Sequence, residues 1–293
     1  MKLFRKNEII GWILFYILFI YSPHGLLILS IILSIEIIKR IIYSKTTYAK
    51  QTNKAYYELR NDLGSYGEYL IFKYLKKYEK QGVKFLFNVY LPKNKTETTE
   101  IDVLMISAKG IYVFESKNYS GWIFGSEEDT YWYQTLPQGR GRKSHKEKFY
   151  NPIKQNQTHI KVLKEITKNE IEPQSLIVFS ERCEFKDLKV DFEKINLVYR
   201  FELPKIFKKI FETENKISEA TVEKIYNSIK QYTIVSNEDK QKHIDNIKEK
   251  QMTCPKCKSM LVERTIKQGE NAGNKFYGCS NYPKCKFTKN IDE

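Results

Sequence analysis

Cysteine is scarce in this chain of 293 residues: Cys183 stands alone and the other four lie between Cys254 and Cys285. That is not a disulfide framework, and it points to a reducing compartment rather than a secreted domain. No small-residue cleavage site follows the first apolar run, which argues against a cleaved signal peptide. Acidic residues are outnumbered. Asp and Glu total 35 against 50 Lys and Arg, leaving a net charge of +15 and a pI near 9.3. The excess favours a polyanionic partner, either nucleic acid or an anionic membrane surface. The abundance of Lys, Ile, Asn and Tyr throughout also fits a genome-wide compositional bias. Large apolar residues are nearly missing from 237–252, which reads as a solvated helix or a flexible tether.

Uncharged apolar runs are short. Residues 9–21 carry no charge, Ser22-Pro23-His24-Gly25 interrupts, and 26–35 are apolar again, with a possible continuation past Glu36 to Ile42. Each half falls below the ~20 residues that span a bilayer alone, whereas the whole suffices for one kinked span or a two-helix hairpin. Lys2, Arg5 and Lys6 precede the segment, and Lys39, Arg40 and Lys45 follow it, so both ends are expected in the cytoplasm. The expectation is a lipid-contacting anchor over 1–45 that holds the remainder at the cytoplasmic face of the cell membrane. A buried helix pair is the alternative.

Residues 56–80 read as one long helix with Leu63, Ile71, Phe72 and Leu75 as its apolar stripe. Gly64 and Gly67 interrupt that stripe and imply close packing or a kink, since each costs roughly 1 kcal/mol relative to Ala. Strands are expected at 83–91, 101–106 and 111–115, with a further pair over 121–133 and buried strands at 175–180 and 195–199. Asn151-Pro152 opens a helix, and two more helices at about 203–212 and 218–232 follow. Both faces of the 101–115 hairpin are apolar: Leu104, Ile106, Ile111 and Val113 on one, Ile101, Val103, Met105, Tyr112 and Phe114 on the other. A sheet buried on both faces needs helices on both sides, hence an α/β layered domain.

The hairpin carries the chemistry. If Ile106 pairs with Ile111, Asp102 falls opposite Glu115 with Cβ atoms roughly 5 Å apart, and Lys117 shares their face. Mg²⁺ (or Mn²⁺) takes one or two carboxylates and completes its shell with water and substrate phosphate. Asp102 and Glu115 supply the carboxylates, the Ser116 carbonyl is a further ligand, and Glu68 lies in or near the shell. Lys117 would orient or help deprotonate a water. The plain alternative is a hairpin salt bridge between Asp102 and Lys117. Arg140, Arg142, Lys143, Lys146 and Lys148 form a basic loop suited to guiding a polyanion. His145, His159 and Cys183 read as ordinary surface or core residues.

Four ordered segments, G-S-Y-G-E (64–68), I-D-V-L-M-I (101–106), K-G-I-Y-V-F-E-S-K-N-Y (109–119) and N-P-I-K-Q-N (151–156), resemble the nuclease-related domain (NERD) family. That family is placed in the PD-(D/E)xK nuclease superfamily. The resemblance covers about 60–165 and implies a restriction-endonuclease-like core, a mixed sheet flanked by helices. It places Glu68, Asp102, Glu115 and Lys117 at catalytic positions and Gln155 on a helix facing the site. A His often follows the Asp in the family; Val103 stands there in this chain.

Cys254-x₂-Cys257 and, after twenty-one residues, Cys279-x₅-Cys285 have the spacing of a closed, structural Cys₄ Zn²⁺ site. A module this small needs the metal to fold. C-P-K-C, L-V-E-R (261–264) and F-Y-G-C-S-N-Y-P-K-C (276–285) resemble the C4 zinc ribbons of bacterial type I topoisomerases, which implies binding of largely single-stranded DNA. Phe276, Tyr277 and Tyr282 would stack on bases, and Arg264, Lys267, Lys275, Lys284 and Lys286 would meet phosphates. The expected organisation is an anchor (1–45), a nuclease-like domain (55–235), a charged linker (236–252) and a ribbon (253–290). The expected activity is metal-dependent hydrolysis of DNA. A silent nucleic-acid-binding adaptor and an RNA-directed nuclease are the alternatives.

Overall fold

The structure, a computed structural model, describes residues 22–94, 96–136, 144–170, 172–234, 236–269 and 272–290. The chain divides into two units at Asn61/Asp62.

The first unit contains α1 (Pro23–Ser44), α2 (Thr47–Thr52) and α3 (Tyr56–Asn61). Ser22 caps α1 by accepting the Gly25 N–H at 3.0 Å. α1 runs 22 residues, but Glu36, Lys39 and Arg40 lie within it, and Glu36 pairs with Lys39 at 2.6 Å. Its uncharged stretch, 23–35, makes roughly 20 Å of helix, short of the ~30 Å hydrocarbon core. Among the described residues no helix is long and apolar enough to cross a membrane. The expected transmembrane segment is therefore withdrawn, and with it the placement at the cell membrane and the contact with lipid. Residues 1–21, the first half of that expected segment, lie outside the described residues.

In the second unit, α4 (Leu63–Leu75) continues as a 3₁₀ turn, Lys76–Gln81. The expected single helix over 56–80 is thus interrupted at Asp62. The Asp62 carboxylate accepts the Gly64 and Ser65 N–H groups at 3.1 and 3.3 Å and the Ser65 hydroxyl at 2.6 Å, so it starts a new helix instead of extending the old one. Strands β1 (Lys84–Pro92), β2 (Thr98–Ser107), β3 (Gly110–Lys117), β4 (Gly121–Ser126), β5 (Tyr131–Leu136) and β6 (His145–Tyr150) follow. Next come α5 (Pro152–Ile166), β7 (Gln174–Phe179), β8 (Cys183–Lys189), β9 (Leu197–Tyr199), α6 (Leu203–Phe211), α7 (Glu219–Lys230) and α8 (Asn237–Gln251). β10 (Leu261–Thr265), β11 (Lys275–Cys279) and β12 (Thr288–Asn290) close the chain.

The main sheet has the order β1-β2-β3-β7-β9, antiparallel across β1, β2 and β3 and parallel from β3 to β9. Its two faces are buried under helices, which makes the architecture mixed α/β. Leu104, Ile106, Ile111 and Val113 pack with Val162 and Leu163 of α5 and with Val222, Ile225 and Ile229 of α7. On the opposite face Phe72 of α4 meets Phe85 and Phe87 edge-on at 5.3 and 5.4 Å, and Phe207 of α6 covers Tyr112 and Phe114. Asn88 has a left-handed φ of 50° in β1. The alternation breaks there: Leu86 and Val89, three apart, share one cluster, as do Ile101 and Leu104 on β2. Ile101 therefore lies with Leu104 and not with Val103 as the simple period suggests. Asp102 sits at this irregularity.

A second sheet has the order β6-β5-β4-β8, and a third, β10-β11-β12, belongs to the C-terminal module. The charged stretch before that module is helical. α8 rests against the start of β2 through Asn246 Nδ2 to the Thr96 carbonyl (3.2 Å), His243 Nδ1 to Thr98 Oγ1 (2.8 Å) and Lys250 to Glu97 (2.7 Å).

Candidate active site and zinc centre

The β2–β3 register runs from Ser107↔Gly110 through Ile106↔Ile111 to Val103↔Phe114, the residues next to Asp102 and Glu115. The backbone closes this end of the hairpin: Ser116 N–H donates to Asp102 Oδ2 at 2.7 Å. Glu115 is 1 % exposed, and both of its oxygens are engaged. Lys117 Nζ lies 2.7 Å from Oε1, and His159 Nε2 lies 3.1 Å from Oε2. Lys117 also donates to Gln155 Oε1 at 3.1 Å, which brings the first turns of α5 to the hairpin.

α5 is fixed there by two asparagines. Asn151 caps it by accepting the Ile153 N–H and donates to the Ser126, Glu127 and Asp129 carbonyls. Asn156 donates to the Val113 carbonyl and Ser175 Oγ. Glu68 is buried on α4, and its neighbour Gly67 explains how the helix comes so close. A Cβ at Gly67 would stand 2.8 Å from Ser116 Oγ and 2.9 Å from Asn118 Cβ. Gly67→Ala should push α4 off β3, lower stability by roughly 1–3 kcal/mol and withdraw Glu68 from Asp102. Thermal unfolding of the variant measures the first effect.

The electrostatics separate the two facing carboxylates. Burial, then repulsion from Glu115 and Glu68, raises the Asp102 pKa well above its usual value despite Lys117 and the Ser116 N–H. For Glu115 burial also acts upward, but Lys117 and His159 outweigh it and the pKa falls. Burial opposes the Lys117 ammonium, yet Glu115 and then Tyr119 and Asp102 push it up to about 12. Glu115 and Asp102 thus share one ammonium while Glu68 repels Asp102, a set short of positive charge.

Among the described residues, only the four cysteines bring three or more possible metal donors within 4.8 Å of one another, so Glu68, Asp102 and Glu115 do not form a closed cage. Carboxylates are the ligand type that Mg²⁺ takes, one or two of them with water and phosphate completing its shell.

His159, which the sequence presents as an ordinary surface or core residue, touches Glu115. It is 3 % exposed and braced from behind by Thr99 Oγ1, 2.7 Å from Nδ1. The available signal was its position four residues after Gln155, on the same face of α5.

The structure sorts the expected nucleic-acid contacts. Arg140, Arg142 and Lys143 lie outside the described residues. Lys146 and Lys148 are not in a loop but on β6, which pairs with β5.

In the ribbon, Cys254 Sγ and Cys285 Sγ are 3.7 Å apart, and Cys257 Sγ and Cys279 Sγ 3.3 Å. These spacings are near the ~3.8 Å edge of a tetrahedron with Zn–S bonds of about 2.3 Å and far beyond a disulfide. The quartet is built for structural zinc. Beside it lies an open groove of about 810 Å³ lined by Arg264, Lys267, Phe276, Tyr282 and Lys286. The Arg264 guanidinium lies 5.4 Å from the Tyr282 ring centroid, and the bare Gly278 lets its stem pass, since a Cβ there would meet Cδ at 2.9 Å. Tyr277 instead packs against the cysteine knuckles, Lys275 pairs with Glu263 at 2.6 Å, and Lys284 does not line the groove.

Comparison with known proteins gives matches over both regions. Residues 63–180 match the family described as nuclease-related domain, and residues 251–293 match the topoisomerase DNA binding C4 zinc finger. The chain is 31 % identical over 181 residues to an uncharacterized protein of Bacillus anthracis, a stretch covering 62 % of this chain and 82 % of the relative. It is 47 % identical over 47 residues to DNA topoisomerase 1 of Methanocaldococcus jannaschii. That stretch spans 16 % of this chain and only 6 % of the topoisomerase. No solved structure matches.

Proposed function

The chain belongs to the nuclease-related domain family, and from that premise we propose that it hydrolyses DNA phosphodiester bonds with the help of Mg²⁺ or Mn²⁺, its zinc ribbon retaining the strand. The observation that carries the reading is the Asp102–Glu115–Lys117 cluster, in which excess carboxylate charge faces one fixed ammonium.

Asp102 and Glu115 would hold the ion, with Glu68 adding negative charge behind them. When bound, the ion lowers the pKa of a water and neutralises charge on the phosphate. Lys117, driven up to about 12 by its carboxylate neighbours after burial is overcome, stays an ammonium near neutral pH. Its part would be to orient the attacking water and stabilise charge developing on phosphate oxygens. Gln155 holds that ammonium from one side, and His159 keeps the Glu115 carboxylate turned toward it. The groove lined by Arg264, Lys267, Lys286, Phe276 and Tyr282 offers cations and rings to a strand, which suits a single-stranded backbone with unstacked bases.

The test uses the full chain with plasmid, linear and single-stranded DNA and with RNA, in Mg²⁺ or Mn²⁺. Cleavage of DNA is expected. Binding without cleavage in every condition would leave the silent adaptor instead. Cys279→Ser should abolish stoichiometric zinc and weaken DNA retention at least ten-fold while the cleavage step on saturating short substrate persists. Zinc content and filter binding measure both.

A further inference from the structure

The second sheet has one covered face and one open face. Ile123 and Trp132 point inward, where they pack with Ile177 and Phe179. The outward positions are unusually rich in rings. Trp122 is 37 % exposed and Tyr150 is 45 % exposed, and Tyr131 and Tyr133 lie half-buried between them. They form a continuous patch across three strands: Trp122 pairs with Thr135, Phe124 with Tyr133, Tyr133 with Lys148 and Tyr131 with Tyr150. Tyr131 and Tyr150 meet edge-on at 6.1 Å.

Lysines lie over these rings. Lys146 Nζ is 4.0 Å from the Tyr133 centroid, Lys148 Nζ 4.5 Å from that of Tyr131, and Lys186 Nζ 5.7 Å from that of Trp122. Lys146, Lys148, Lys186 and Lys189 outnumber Glu184 and Asp187 on this face, so it carries net positive charge. Alternating rings and ammonium groups on an open sheet offer flat surfaces to bases and charge to the backbone, the pattern that receives a single strand regardless of sequence. A duplex keeps its bases stacked on one another and cannot use the rings.

We propose that the outer face of β4, β5 and β6 is a stacking platform for single-stranded DNA, with Trp122, Tyr131, Tyr133 and Tyr150 receiving bases and Lys146 and Lys148 receiving phosphates. This rests on the nuclease reading above and extends it. β4 begins four residues after Lys117, so the Cα of Trp122 is at most about 18 Å from that of Lys117. A strand seated on the platform is within reach of the cluster. The platform is separate from the ribbon groove, and a strand held at both places has its intervening segment tethered twice.

Binding of an oligothymidylate to the full zinc-loaded chain, measured without added Mg²⁺, tests this independently of turnover. Of the three tryptophans, Trp122 is exposed, Trp132 is buried and Trp12 lies outside the described residues, so in a Trp12→Phe background bound strand should quench tryptophan emission, and adding Trp122→Phe should remove most of the quenching. Tyr133→Ala and Tyr131→Ala should each weaken binding about five-fold or more, with a much smaller effect on duplex of the same length. Lys148→Ala should lower the slope of log affinity against log salt by about 0.7. Unchanged melting temperatures show that the variants fold.

Quenching that persists in Trp122→Phe, or equal losses for single strand and duplex in the tyrosine variants, would overturn the platform. A chain that cleaves DNA yet shows neither effect overturns the platform alone. A chain that shows both and never cleaves overturns the nuclease reading and leaves the platform standing.

Discussion

Lys117→Met is expected to lower the cleavage rate by about 10²–10³-fold while leaving the fold intact. The magnitude is that of removing one preorganised charge aimed at a developing oxyanion. The methionine keeps the length and apolar stem of the side chain, so packing around β3 changes little. What disappears is the ammonium 2.7 Å from Glu115 and 3.1 Å from Gln155. Glu115 is then left with His159 as its one described partner, so some loss of stability accompanies the loss of rate. Two readouts separate these effects. Single-turnover cleavage at saturating DNA reports the chemical step, and thermal unfolding reports the buried carboxylate. A variant that melts normally and cleaves at the parental rate would remove Lys117 from the mechanism.

Asp102→Asn should abolish cleavage and, in the metal-free protein, raise the melting temperature by a few degrees at neutral pH. Burial and the carboxylates of Glu115 and Glu68 raise the Asp102 pKa in the folded chain well above the usual 3.8. Over the interval that opens near pH 4 and extends upward to the folded value, the folded chain retains a proton that the unfolded chain has released. Stability contributed by this group is therefore present at low pH and is lost as pH rises through that interval. Asparagine removes the buried charge and the pH dependence with it. Mg²⁺ should act unequally on the two proteins: it stabilises the parent, because an ion bound only to the folded state shifts unfolding by mass action, and leaves Asp102→Asn nearly unmoved. Melting curves between pH 4 and 8, with and without Mg²⁺, measure all three effects. A parent whose metal-free stability rises across that interval through Asp102 would contradict the assignment.

The parts of the fold set by apolar periodicity were legible. Residues 101–106 and 111–115 are apolar on both faces around a short turn, and they pair in the expected register, Ile106 with Ile111, as far as Val103 and Phe114. The buried strands at β7 and β9 stood out for the same reason. Where polar side chains decide structure, the pattern was silent. Asp62 breaks a helix by accepting three local donors, which no stripe of leucines reveals. β6 and β8 are largely charged strands in the second sheet, so a run such as His145-Lys146-Glu147-Lys148 resembles a loop. α1 shows the reverse failure. Its apolar composition suggested a membrane span, but Glu36, Lys39 and Arg40 fall inside the helix and limit its uncharged length.

The site followed the same division. Glu68, Asp102, Glu115, Lys117 and Gln155 were visible as ordered motifs, and the structure places Lys117 in contact with Glu115 and Gln155 and ties Asp102 to the Ser116 N–H. His159 was not visible, because a single His on a helix face gains meaning only from what it touches. Its contacts with Glu115 and Thr99 come from α5 crossing two strands more than forty residues earlier in the chain. In the ribbon, spacing located the cysteines but could not say which aromatics face the groove. Alternation along β11 sends Phe276 to the groove and Tyr277 to the knuckles.

The most direct test of a metal-dependent nuclease centred on Asp102, Glu115 and Lys117 is cleavage of end-labelled single-stranded DNA by the full zinc-loaded chain as Mg²⁺ is titrated from zero. Product that appears only with added Mg²⁺, saturates with its concentration and is absent from Asp102→Asn is the expected result. Product formed equally without Mg²⁺ or by Asp102→Asn, or no product at any concentration of Mg²⁺ or Mn²⁺, would contradict it.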